Sequence, residues 1–90
     1  MYIRNPQDFE KIIASKKSIL FEAYKIDPRK RKLIIAISAK KENKEEDVVV
    51  EASEDNITEF LKAIEENWDK IPSYQKPRVR VLIKEVKEKL

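Results

Sequence analysis

The chain has 90 residues with no Cys, no His and no Gly, and 41% of it is charged. Those absences exclude a disulfide framework, a thiolate nucleophile, Cys- or His-based metal centres, imidazole acid–base chemistry and the glycine-rich loops that cradle phosphates. The net charge of +3 conceals a segregation: residues 1–44 hold 12 Lys/Arg against 5 Asp/Glu, residues 45–75 hold 2 against 10, and residues 76–90 hold 6 against 2.

No window approaches the roughly 18 apolar residues of a membrane span. Residues 1–20 also lack the apolar core of a signal peptide. The expectation is one soluble cytoplasmic domain with no membrane association. Abundant Lys and Glu with a single Met resemble the makeup of hyperthermophile proteins. That origin would place the thermal midpoint above the mesophile range of about 45–65 °C.

In chain order, "NPQDFEKIIASKK" reads as a helix from Pro6 to Lys16. Asn5 can cap it, Pro6 suits the first helical position, and Phe9, Ile12 and Ile13 share a face. Three strand-like runs follow: "SILFEAYKI", "KLIIAISAK" and "DVVVEA". Alternation puts Ile19, Phe21 and Ala23 on one sheet face with Leu33, Ile35, Ile37, Ala39, Val48, Val50 and Ala52. Asp27-Pro28 suits the opening of a type I turn, and "KENKEE" reads as a charged mobile loop.

"SEDNITEFLKAIEENWDKIP" predicts a second helix with an apolar stripe of Ile57, Phe60, Leu61, Ile64, Trp68 and Ile71. Ser53 or Asp55 can cap it and Pro72 stops it. In "KPRVRVLIKEVKEKL", Val79, Leu82, Ile83, Val86 and Leu90 fit a helix, while Val79, Val81 and Ile83 fit a strand. Its length, the Pro77 start and the Lys/Glu tail favour helix. The fold class is α+β: an α-β-β-β-α core over residues 6–71, with a three-stranded antiparallel meander and helices on one face. A basic C-terminal segment, 76–90, completes a single domain.

Signals for catalysis are weak. Glu42-x-Lys44 and Glu85-x-Lys87 match half of some nuclease motifs, but solvated surface charge explains them in so charged a chain. Asp47 and Glu51 share a strand face, where a Mg²⁺ would compete with ordinary strand-edge polarity. Ser15 beside Lys16 has no base held by a third group. The chain reads as a non-enzyme with no metal site, cofactor or small-molecule substrate.

The cations say more. Arg29, Lys30, Arg31 and Lys32 occupy a hairpin tip, where four adjacent like charges repel one another and suit a phosphate backbone; solubility or strand-edge protection is the plainer alternative. In a C-terminal helix, Lys76, Arg80, Lys84 and Lys87 would line one face, with Arg78 nearby. A second sheet face, formed by Leu20, Glu22, Tyr24, Ile26, Ile34, Ala36, Ser38, Val49 and Glu51, is too apolar to be left in water. Its cover would be the C-terminal helix folding back through Val79, Leu82 and Val86, a second copy of the chain, or a polynucleotide stacked on Tyr24.

The helix–strand–strand–strand–helix order of "DFEKIIASKKSILFEAYKID", "KLIIAISAKK" and "DVVVEASEDNITEFLKAIEENWDKI" resembles the small RNA-binding proteins of the signal recognition particle Alu domain. It is also similar to a small ribosomal large-subunit protein of that fold. The resemblance implies RNA contact through the sheet face away from the helices and through basic loops, which here means Tyr24, Arg29 to Lys32, Lys40 and Lys41. The expectation is a non-catalytic module for structured RNA or a ribonucleoprotein. The alternative is a protein-interaction module or homodimer using the second sheet face or the C-terminal apolar stripe.

Overall fold

The computed structural model of the chain describes residues 1–90. Strand β1 (Tyr2–Ile3) leads into helix α1 (Pro6–Ala14), strands β2 (Ser18–Asp27), β3 (Lys32–Lys41) and β4 (Lys44–Ser53), helix α2 (Ile57–Glu66) and helix α3 (Lys76–Lys89). The α+β class is as expected, with one strand more. The sheet has four strands in the order β1-β4-β3-β2, and β1 lies parallel to β4 through Tyr2–Val49 and Ile3–Val50. Two residues suffice for β1 because Ile3 is buried and Met1 ties both its ends to β4. The Met1 amine donates to the Asp47 carbonyl at 2.9 Å, and the Met1 carbonyl accepts from Val49 N–H at 2.8 Å.

Helix α1 starts where expected, since Asn5 Oδ1 accepts from the N–H of Gln7 and Asp8. It ends before Lys16, at Ser15. The Lys70 ammonium, arriving from the far end of α2, donates to the Ile13 and Ala14 carbonyls, neutralising the negative end of the helix. Helix α2 is shorter than its apolar stripe. Asn67 Nδ2 donates to the Ala63 carbonyl, and Trp68–Lys70 tighten into a 3₁₀ turn. Neither Ser53 nor Asp55 caps α2. Asn56 stands at that position, and its side chain instead accepts from Ser53 N–H and donates to the Arg4 carbonyl.

"KENKEE" is not a mobile loop. Strands β3 and β4 run on to pair Lys41 with Lys44, leaving a two-residue turn at Glu42 and Asn43. Glu42 takes φ 56° there, the left-handed region that such tight hairpins demand. The C-terminal segment is helical: Val79, Leu82 and Val86 are buried in one cluster with Leu33, Ile35 and Ile37. It therefore packs on the same sheet face as α1 and α2 and does not fold back over the second face. Val79, Leu82 and Val86 of the α3 stripe are consumed by the core, and Ile83 and Leu90 pack partly buried against it.

The largest departure lies in β2. Phe21 pairs with Ile37 but Ala23 pairs with Ala36, so Glu22 is an extra residue, a β-bulge. Because side chains alternate, one extra residue swaps the faces of everything after it. Ala23 and Lys25 move to the second face, opposite Ala36 and Ile34. Tyr24 and Ile26 move to the helix side, opposite Ile35 and Leu33. The outer edge of β2 is sealed at the bulge by Gln75, whose buried amide accepts from Phe21 N–H and donates to the Phe21 carbonyl, both at 2.8 Å.

Candidate nucleic-acid interface

The β2–β3 turn is built by its own sequence. Asp27 Oδ1 accepts from the N–H of Arg29 and Lys30 at 3.1 Å each, Pro28 fixes the chain direction, and Arg31 returns it with φ 53°. Asp27 pairs with Lys32 to close the loop, so Lys32 belongs to β3. The four cations then divide. Arg31 lies 3.4 Å from Glu54, and Lys32 lies 3.6 Å from Glu51. Arg29 and Lys30 are exposed and have no carboxylate within salt-bridge distance.

Beside the turn, Lys25, Lys30 and Lys32 line one hollow with Ile34, Asp27 and Glu51. Asp27 is committed to the turn, and Glu51 is committed to its neighbours. The Tyr2 hydroxyl donates to Glu51, and Arg4 approaches the carboxylate at 3.4 Å while its guanidinium sits 5.2 Å from the Tyr2 ring centre. The Tyr2 hydrogen bond, helped by the Lys32 and Arg4 charges, holds the Glu51 carboxyl below the usual carboxylate range. The same bond, with burial, raises the Tyr2 hydroxyl.

A depressed folded-state pKa contributes stability above the unfolded value of about 4.3 and loses it as pH falls through the folded value. Thermal melts at pH 7, 5 and 3 should therefore show an acid-side drop that is smaller in Glu51→Gln than in the natural sequence. Equal drops would show that the Tyr2–Glu51 contact does not form in solution.

Other expected residues fall elsewhere. Lys40 and Lys41 lie at the opposite end of β3, about 30 Å from the turn at roughly 3.3 Å per residue. Tyr24 is not a stacking platform on the open face: the bulge turns it to the helix side, where its hydroxyl donates to Glu85 of α3 at 3.3 Å. Burial, then the Glu85 charge, raises its pKa. Arg78 lies beside Tyr24, Pro77 and Val81 along the β2 edge. Arg80 stacks over Trp68 at 5.2 Å, and Lys87 borders a hollow with Glu54, Glu65 and Lys62. Lys76 is half-buried at the start of α3 and Lys84 is exposed.

Helical spacing does place Lys76, Arg80, Lys84 and Lys87 together on the α2 side of α3. That surface lies across the molecule from the open sheet face. Comparison with family models, with curated proteins and with solved structures returns no match.

Lys25 was hidden from sequence reasoning. Simple alternation from Ile19 assigns it to the core face, and only the bulge brings it out beside Lys30 and Lys32. Asp47 and Glu51 do share a face, but no three His, Cys, Asp or Glu side chains converge as metal ligands. No helix is long and apolar enough to cross a membrane.

Proposed function

We propose that the protein is a non-catalytic nucleic-acid-binding module that takes the phosphate backbone of structured RNA at its β2–β3 turn. The observation that carries this reading is the convergence of Lys25, Lys30 and Lys32 on one hollow with Arg29 free beside it. Asp27 holds the turn in advance, so little ordering is left for the moment of binding. The expected resemblance to the Alu-domain proteins, in which basic loops meet RNA, would give the turn the same role. The open sheet face departs from that pattern. Glu45, Asp47 and Glu51 form an acidic column along β4, which keeps phosphates off its centre. A cytoplasmic ribonucleoprotein is the setting this reading implies.

Fluorescence titration against an RNA hairpin, single-stranded RNA and duplex DNA at several salt concentrations tests it. With roughly four to six phosphate contacts, the logarithm of affinity should fall against the logarithm of salt with a slope near −3 to −5. No binding at about 50 mM salt, or a flat slope, would discard the reading.

A further inference from the structure

The open face of the sheet is covered by nothing in the chain, yet its centre is apolar. Tyr2, Val49, Ala36 and Ala23 form one row across the four strands, flanked by Ile34 and Leu20. Tyr2 is 53% exposed and Ile34 37%. The charges around this centre are sorted by strand. On β4 the outward residues are Glu45, Asp47, Val49, Glu51 and Ser53, and their partners on β3 are Lys40, Ser38, Ala36, Ile34 and Lys32.

We infer that this face binds a second copy of the chain, related by a two-fold axis parallel to the strands and passing between β3 and β4. Such an axis exchanges β3 with β4 and β1 with β2 while keeping each residue at its own level. It lays Glu45 over the partner copy's lysine 40, Asp47 over serine 38, Val49 over alanine 36 and Ser53 over lysine 32. The Tyr2 ring meets the small alanine at position 23, so a large side chain faces a small one. Glu45 and Asp47 thus find a basic and a hydroxyl position, twice over by symmetry, and Glu51, over isoleucine 34, keeps its own partners Tyr2, Arg4 and Lys32. Arg4 and Lys25 meet as like charges only at the rim, where water and salt screen them.

Any rotation of one copy end over end would instead set Asp47 against the partner's acidic column, because the rows on either side of Val49 both carry a β4 carboxylate. The area stands at the threshold. Three ten-residue strands and the two-residue β1, about 4.8 Å apart, give a face of roughly 500 Å², and two such faces remove about 1,000 Å², the least that a specific interface should clear. Aligned packing of two sheets at about −30° is the ordinary geometry for this contact. The acidic column that repels phosphate is then an element of self-recognition, and Arg29 and Lys30 of both copies emerge at the same end of the dimer, whereas Ile34 and Glu51 in the floor of the phosphate hollow are covered, so a second copy and a polynucleotide compete for Lys25 and Lys32.

Light scattering on the full chain without any polynucleotide is the test. The natural sequence should have twice the chain mass at about 100 μM and keep it in high salt, since the centre is apolar. Ala36→Glu should be monomeric with an unchanged far-ultraviolet spectrum, because position 36 is half-exposed on the open face. Glu45→Lys should weaken the dimer at least tenfold, and adding Lys40→Glu should restore it. Arg29→Ser with Lys30→Ser should leave the mass unchanged, which separates this inference from the nucleic-acid reading. A natural chain that stays monomeric up to about 1 mM, or an Ala36→Glu chain that still dimerises, overturns it.

Discussion

Replacing Arg29 and Lys30 together with Ser is expected to weaken RNA binding by roughly 25–60-fold near 0.1 M salt, about five- to eightfold for each phosphate left without its cation. The salt slope should become shallower by about 1.4–1.8. Thermal stability should barely change, because both side chains are exposed and unpaired and such changes usually lie within about ±0.5 kcal/mol each. Replacing Arg31 and Lys32 should behave differently. Each already faces a carboxylate, Glu54 or Glu51, so part of its charge is spent inside the protein. Binding should fall less than in the first pair, and the melting point should drop slightly, since exposed ion pairs contribute about 0–1 kcal/mol. Equal weakening in the two variants would show that the pairing has no consequence for phosphate binding. An unchanged slope in the first variant would remove the turn from the interface.

Phe60→Ala should cost about 3–5 kcal/mol, the range for deleting a fully buried aromatic ring. Phe60 is 0% exposed, and its ring lies 5.5 Å from that of Phe9 at an angle of 50°. The pair joins α1 to α2 over the sheet, so the cavity left by truncation opens at the meeting point of three elements and cannot close without moving a helix. For a domain of this size the midpoint should fall by at least about 12 °C. Denaturant titration should show a lower midpoint with an unchanged slope. A loss below about 1.5 kcal/mol would mean that the core re-forms around the gap. By the same logic Leu82→Glu cannot probe association. Leu82 is 1% exposed, and a charge there would unfold the chain.

The core face of the sheet was legible because β3 and β4 alternate without interruption, and Leu33, Ile35, Ile37, Ala39, Val48, Val50 and Ala52 are all buried as alternation requires. Helix α3 was legible through the three- and four-residue spacing of Val79, Leu82 and Val86. The bulge was not. Glu22 is an ordinary polar strand residue, and nothing local marks it as the extra one, so the faces of Ala23, Tyr24, Lys25 and Ile26 came out reversed. The β3–β4 turn was masked by its composition: a tight hairpin ordinarily announces itself with Gly or Asn-Gly, and here Glu42 takes the left-handed position in a chain that has no Gly. The basic turn was visible as four adjacent cations. Its division into free and paired halves depends on Glu51 and Glu54, about 20 residues further along, which only the folded register brings close.

The Gln75 amide also bears on the order in which the chain assembles. The two hairpins are local: the turns after Asp27 and Lys41 can bring β2, β3 and β4 together by closing only short loops. The seal on the outer edge of β2 is not local, since Gln75 and Phe21 stand 54 residues apart. Until α3 docks, the peptide group of Phe21 faces outward at an unguarded strand edge, and a neighbouring nascent chain could pair with it. One glutamine thus stands in for a strand that the protein does not have. The interval between closing the meander and docking α3 is when the chain is most exposed to misassembly.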